Sequence, residues 1–171
     1  MNRENWITNV TGAVAPLIKR EDAILALDDF CLSLDTTSMA KYSEERINAT
    51  KVVASAARSY IERFGVDIAY ATRGESCVTG IILCEQSIAF DGIEITHMVS
   101  NPNFPGTGKS LLEKAVNESE KSGFSGVITV TPRGTADGFY TKYGFILGDP
   151  FKLDPRTSDR WEYSAGRWRA I

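Results

Sequence analysis

Residues 92–113 read Gly-Ile-Glu-Ile-Thr-His-Met-Val-Ser-Asn-Pro-Asn-Phe-Pro-Gly-Thr-Gly-Lys-Ser-Leu-Leu-Glu, and the rest of the chain has to be fitted around them. Ile93, Ile95 and the Met98-Val99 pair predict a strand, and Ser100 to Pro105 is turn-prone. Gly106 and Gly108 then open a segment in which Leu111, Leu112, Ala115 and Val116 recur at helical spacing. A strand, a glycine turn and a helix start expose backbone N–H groups and the positive end of a helix dipole. Phe104, Gly106, Thr107, Gly108, Lys109 and Ser110 each carry an amide donor, whereas Pro105 has none. Such a turn suits a phosphate or a diphosphate.

Two phosphate-binding patterns compete for it. Pro105-Gly106-Thr107-Gly108-Lys109-Ser110 resembles the end of a Walker A loop, in which Lys reaches the terminal phosphates and Ser holds magnesium. That pattern needs a Gly where Asn103 stands. It also wants a later apolar strand ending in an acid, but Val127 to Val130 runs into Thr131 and Pro132.

The other pattern accounts for more of the sequence. The turn resembles the acetyl-coenzyme A loop of the GCN5-related N-acetyltransferases, Gln/Arg-x-x-Gly-x-Gly/Ala, with Asn103 in the Gln/Arg slot. Ala136-Asp-Gly-Phe139-Tyr140-Thr-Lys-Tyr143-Gly144-Phe145 resembles the second signature of that family, Ala-x-x-Phe-Tyr-x-x-x-Gly-Phe. A helix and a strand separate the two, as in the family. The resemblance is close over 92–146 and only architectural over the first 65 residues. It implies an α/β (α+β) fold: a mixed, mostly antiparallel twisted sheet of about six to seven strands with helices on both faces. It also implies one domain over 1–171, with a helical part to residue 65 and a sheet and coenzyme-binding core over 66–171.

Composition agrees with this and excludes little. A chain of 171 residues is one domain by prior and buries roughly 70% of its unfolded surface. A net charge of −3 argues against nucleic acid or an anionic membrane as the main partner. Cys31, Cys77 and Cys84 are odd in number and lack metal-ligand spacing, which reads as reduced thiols rather than ligands. The start has no apolar signal region and no apolar run reaches membrane length, so the expected setting is cytoplasmic, with neither metal nor membrane.

Along the chain, Trp6 to Val10 is the only candidate for a first strand, and Ala13 to Phe30 predicts one or two short helices. Asp35 to Ser38 reads as a loop. Tyr42 to Phe64 predicts a long helix whose apolar face is Ile47, Val52, Val53, Ala56, Ala57, Tyr60, Ile61 and Phe64. Strands are expected over 66–71 and 77–84, and a strand buried on both faces over 127–131. Gly134 or Thr135 is expected to cap a helix carrying Tyr140, and a strand to start at 145–147. A loop is expected over 148–160, and a last strand over 161–165.

The resemblance assigns roles. The loop, with Asn103, Phe104, Gly106, Thr107, Gly108, Lys109 and Ser110, would hold acetyl-coenzyme A, a co-substrate. Main-chain groups at Met98 and Val99 would face its pantetheine arm and thioester, and Phe139 would line its site. Tyr140 would protonate the departing thiolate; an ordinary tyrosine, protonated at neutral pH, suits that donation. Alternatively Tyr140 is a half-buried helix aromatic. Glu94 is the preferred base for the acceptor amine, with His97 and water as alternatives. Strand alternation puts Glu94 with Thr96 and Met98, and His97 with Ile93 and Ile95. A lone His between apolar residues is more often structural. Asn103 and the missing Asn after the fifth strand, where Thr131-Pro132-Arg133 stands, depart from the family pattern. An alternative to the enzyme is therefore a coenzyme-binding module that has lost the chemistry. The acceptor would be a small-molecule or protein amine, and Trp161 and Trp168 on an exposed last strand leave a homodimer open.

Overall fold

In the computed structural model the central strand is β4 (Gly92–Ser100), and the helix after the glycine turn is α3 (Thr107–Lys121). The structure describes residues 14–17, 19–36, 44–75, 77–133 and 136–171. Before β4 come β1 (Val14–Pro16), α1 (Arg20–Thr36), α2 (Glu44–Phe64), β2 (Ile68–Arg73) and β3 (Val78–Ser87). After α3 come β5 (Ile128–Val130), α4 (Asp137–Lys142), β6 (Phe151–Leu153), β7 (Trp161–Ser164) and β8 (Arg167–Ala170).

The strands are hydrogen-bonded in the order β1-β2-β3-β4-β5-β6, with β7 and β8 forming a second, two-stranded sheet. β1 runs antiparallel to β2 with Val14 opposite Thr72. β4 and β5 run parallel, pairing Ile93 with Ile128, Glu94 with Thr129 and Ile95 with Val130. β5 and β6 are antiparallel. This is the expected mixed, mostly antiparallel sheet with helices. Of the described residues, those within 14–82 and 97–111 form one compact unit, and those within 83–96 and 112–171 the other.

In the first unit α1 and α2 pack together, and Ala23, Ala26, Leu27, Phe30 and Leu34 are buried on α1. The 13–30 region holds a short strand and then one unbroken helix reaching Thr36, rather than short helices only. Phe30 and Leu34 carry the apolar stripe past the predicted end. On α2 the buried stripe is Ile47, Ala54, Ala57 and Ile61. Val52, Val53 and Phe64, expected on that face, are exposed. Val52 lies half a turn round the helix from Ile47 and Ala54, so hydrophobicity alone misassigned it. Lys51 pairs with Asp35 and Arg58 with Asp28, joining the two helices at their exposed edges. The candidate strand over 6–10, the capping residues 134 and 135, and residues 37–38 of the predicted loop lie outside the described residues.

In the second unit Leu112, Ala115, Val116 and Ser119 are the buried side of α3, and Ser119 Oγ donates to the Val127 carbonyl at 2.6 Å. β5 is buried throughout, as its apolar run predicts. The expected loop over 148–160 contains β6, and the strand start at 145–147 is only a bridge between Ile146 and Lys152. The expected last strand is the first arm of a hairpin, turning at Ala165-Gly166 with both residues at positive φ. Its tryptophans face inward. The Trp161 indole donates to the Tyr143 carbonyl at 2.8 Å, and the Trp168 indole to Glu120 at 3.0 Å. Asn117 clamps the Trp168 backbone by N–H and carbonyl together. Among the described residues no helix is long and apolar enough to cross a membrane.

Candidate active site

The glycine turn is built around Asn101, which is 1% exposed. Its N–H donates to the Thr79 carbonyl at 2.8 Å, and its side-chain amide donates to Ser33 Oγ at 3.2 Å. Its Oδ1 accepts the Asn103 N–H at 3.0 Å, and its carbonyl accepts the Phe104 N–H at 3.0 Å. A buried polar side chain is tolerated when its groups are paired in this way, and the pairing fixes the chain's path out of β4. Asn101 was not singled out from the sequence, where it is one polar residue in a turn-prone run.

Three of the six candidate donor amides are used inside the turn. Phe104 donates to Asn101, Thr107 to the Phe104 carbonyl at 3.4 Å, and Ser110 to the Gly106 carbonyl at 3.0 Å. The Gly106 and Gly108 amides remain at the mouth of the turn. Gly106 has φ +88°, and a Cβ there would meet nothing within 4 Å, so its role is conformational: only the left-handed backbone turns the chain into α3. The turn opens on a cavity of about 540 Å³. Phe104, Pro105, Gly106, Thr107 and Ser110 line one side, and Thr72, Arg73, Gly74, Glu75, Cys77 and Thr79 the other.

Gly80 sets how closely the turn approaches the sheet. A Cβ at that position would stand 2.4 Å from Thr107 Cγ2, 2.9 Å from the Val99 carbonyl oxygen and 3.0 Å from Thr72 Oγ1. Thr107, 8% exposed, is lodged over the bare backbone of β3. The sequence carried a signal for this, a lone glycine within the apolar run Val78 to Leu83.

β4 is continuous over its nine residues, so side chains alternate and Glu94 and His97 project to opposite faces. The His97 ring packs on Tyr60 of α2 at 5.0 Å between centroids. Glu94 is half-buried beside Thr129 in the parallel register. Met98 is half-buried and Val99 buried. β5 ends at Val130, opposite Ile95, and β4 runs on from Thr96 to Ser100.

In the second unit the Phe-Tyr-x-x-x-Gly-Phe run folds as a short helix with its own stop. The Gly144 N–H donates to the Thr141 carbonyl at 3.0 Å and the Phe145 N–H to the Tyr140 carbonyl at 3.2 Å, with Gly144 at φ +84°. This is a Schellman cap, and the Tyr140 and Phe145 rings meet at 5.1 Å as its apolar clasp. The residue before the helix is Ala136, which makes no side-chain cap bond. Phe139 stands edge-on to Tyr140 at 5.2 Å and to Tyr143 at 5.1 Å. Tyr140 is 5% exposed. Burial, with the Cys84 thiol nearby, holds its phenol protonated well above the ordinary tyrosine range. A phenol kept in that state can donate a proton and has little tendency to lose one to solvent.

No protein-family model matches the chain. No curated protein matches it in sequence. Solved structures do match. A GCN5-related N-acetyltransferase from Rhodopseudomonas palustris has TM-score 0.54 at 19% identity, over 96% of this chain and 94% of that one. The PaiA N-acetyltransferase from Thermoplasma acidophilum, solved in complex with coenzyme A, has TM-score 0.52 at 18% identity, over 82% and 96%. The ribosomal-protein-S18-alanine N-acetyltransferase from Escherichia coli has TM-score 0.51 at 14% identity, over 80% and 79%. The likeness extends through nearly the whole described chain, and it is one of architecture: the chain has the fold of the GCN5-related N-acetyltransferases.

Proposed function

We propose that the chain transfers an acetyl group from acetyl-coenzyme A to a primary amine of a small molecule or a protein. The observation that carries this is the turn from Asn101 to Ser110, tied down by a buried Asn and bringing the Gly106 and Gly108 amides to the start of a fifteen-residue helix. Backbone donors at a helix start favour a diphosphate without reference to side-chain identity. Asn103, Phe104, Thr107 and Ser110 shape the turn in this reading, and Phe139 packs beside the ligand. Main chain at Met98 and Val99 serves the pantetheine arm and the thioester carbonyl.

The chemistry is direct transfer. The neutral amine nitrogen attacks the thioester carbon, forming the C–N bond and placing negative charge on the carbonyl oxygen. Main-chain donors stabilise that charge; a single such donor contributes roughly 3 kcal/mol in comparable reactions. Collapse breaks the C–S bond, and the sulfur takes the Tyr140 proton. The proton lost by the amine goes to Glu94 or, through water, to solvent. His97 drops behind Glu94 because its ring is packed on α2.

A second reading, a coenzyme-binding module without turnover, draws on one observation. Asn103 brings no charge to the turn, and its N–H is spent on Asn101. Calorimetry with acetyl-coenzyme A followed by a free-thiol assay against a panel of amines and peptide N-termini tests both. Heat with thiol release supports the enzyme, heat without release the module, and no heat removes both.

A further inference from the structure

We infer that Arg73, at the end of β2 across the cavity from the glycine turn, is a ligand-binding residue, and that this cavity takes the phosphate-bearing end of the coenzyme. This rests on the function proposed above and extends it to a part of the chain outside both sequence motifs.

The cavity has two walls. One is the turn itself, Phe104 to Thr107 and Ser110. The other is the end of β2 and the turn into β3, Thr72 to Glu75 with Cys77 and Thr79. The second wall is rigid. The Gly74 N–H donates to the Cys77 carbonyl at 2.9 Å, and Thr79 Oγ1 lies 3.0 Å from Thr72 Oγ1. A Cβ at Gly74 would stand 3.4 Å from the Phe104 ring, so the bare backbone there lets the two walls approach at their base. Among the described residues Arg73 is the one cationic side chain in this lining, and Glu75 the one acidic. Arg73 is half-buried, while Glu75 is exposed to solvent.

Arg73 also feels Asp29 of α1, whose carboxylate accepts the Val78 N–H at 3.1 Å. Burial nevertheless outweighs that attraction, and the guanidinium pKa is lowered on balance. A partly desolvated guanidinium gains more from an incoming phosphate than a solvated one does, because it can offer two parallel donors to two oxygens. The exposed Glu75 opposes an anion, but water screens it.

The test is calorimetric titration of coenzyme A, and of phosphate-free pantetheine, into the wild type and into Arg73→Gln, Arg73→Lys and Glu75→Gln, at two salt concentrations. Arg73→Gln should weaken coenzyme A about tenfold and flatten its salt dependence, leaving pantetheine unchanged. In turnover the loss should fall on KM for acetyl-coenzyme A, with kcat at saturation within about twofold. Glu75→Gln should tighten coenzyme A by about twofold. Arg73→Gln binding coenzyme A as tightly as the wild type, with the same salt response, overturns the inference. Wild type giving no heat with coenzyme A instead overturns the proposed function. If Arg73→Gln does not fold, the decision passes to the folded Arg73→Lys and Glu75→Gln proteins: weaker and tighter binding respectively support the inference, and wild-type affinity in both overturns it.

Discussion

Thr107 at the head of α3 sits directly over Gly80 of β3, so close that a Cβ on residue 80 would lie 2.4 Å from Thr107 Cγ2. The Val99 carbonyl, 2.9 Å from the same point, is backbone and cannot swing aside. Gly80→Ala should therefore push the turn off the sheet. The expected cost is about 1–3 kcal/mol of stability, as for overpacking a core, with coenzyme affinity reduced about tenfold or more. Gly138→Ala is the matched control. A Cβ there meets nothing within 4 Å, and within α4 the change should be neutral or stabilise by about 0.5–1 kcal/mol. Chemical denaturation and calorimetry on the two variants check both statements.

Asn101 makes the same turn depend on α1. Asn101→Ala removes the acceptor for the part-buried Asn103 N–H and the donor to Ser33 Oγ, which keeps its bonds to the Phe30 and Val78 carbonyls. The expected loss is about 2–3 kcal/mol. Amide hydrogen exchange should speed up at Asn103, and at Phe104, whose bond to the Asn101 carbonyl depends on the same turn. Exchange at these two amides that matches the wild type would show that the turn holds its shape without the Asn side chain.

How much of this was legible in the residues depends on the range over which each effect acts. The strand–glycine turn–helix succession and the Tyr140 helix are local, set by periodicity and glycine placement, and the structure has both. The closing Gly-Phe of the second motif is local too: Gly144 and Phe145 form a Schellman cap on Tyr140 and Thr141. What was missed depends on partners far along the chain. Asn101 matters because Ser33 lies sixty-eight positions away. Gly80 matters because Thr107 arrives above it, and Arg73 because the β2–β3 turn closes on Phe104. Val52 was misplaced because its hydrophobicity was counted without its angular position on α2. The second arm of the β7–β8 hairpin, Arg167–Ala170, follows the predicted last strand across the Ala165-Gly166 turn and alternates charged with apolar residues too briefly to stand out.

Tyr140→Phe keeps the ring that Phe145 and Phe139 pack against and removes only the hydroxyl. Stability should change by less than about 1 kcal/mol, and KM for acetyl-coenzyme A little, while kcat falls by about 10²–10³-fold. Because burial keeps the wild-type phenol protonated, its kcat should show no descending limb from this group below about pH 10. Turnover by Tyr140→Phe equal to the wild type would remove the acid role.

Glu94 and His97 lie on opposite faces of an unbroken strand, so one substitution at each separates their contributions. Glu94→Gln should lower kcat by about 10²-fold and change the acid side of its pH–rate profile. His97→Gln should act through stability, by losing the ring contact with Tyr60, and leave the profile's shape intact. A profile altered by His97→Gln and untouched by Glu94→Gln reverses the assignment; a profile altered by neither points to water.

Alkaline stability reports on the buried face behind Tyr140. Burial pushes the Cys84 thiol and the Tyr140 phenol far above their ordinary ranges. In the unfolded chain such groups ionise near pH 8.5 and near pH 10 respectively, about where solvated thiols and phenols do. Between those pH values and the higher folded ones, the unfolded state binds fewer protons than the folded state, so stability falls as pH rises. Their contribution is complete below about pH 8.5 and is lost progressively above it, at a limiting slope of about 1.4 kcal/mol per pH unit for each group. The unfolding midpoint should therefore show no decline from these two groups between pH 6 and 8, decline from about pH 8.5, and decline faster above about pH 10. Cys84→Ala lowers the absolute stability by leaving a small cavity, so the slope is the quantity to compare. It should flatten the first part of the decline, and Tyr140→Phe the second. Equal slopes in wild type and both variants would mean that the fold does not raise either group, and that Tyr140 is protonated at neutral pH only as any tyrosine is.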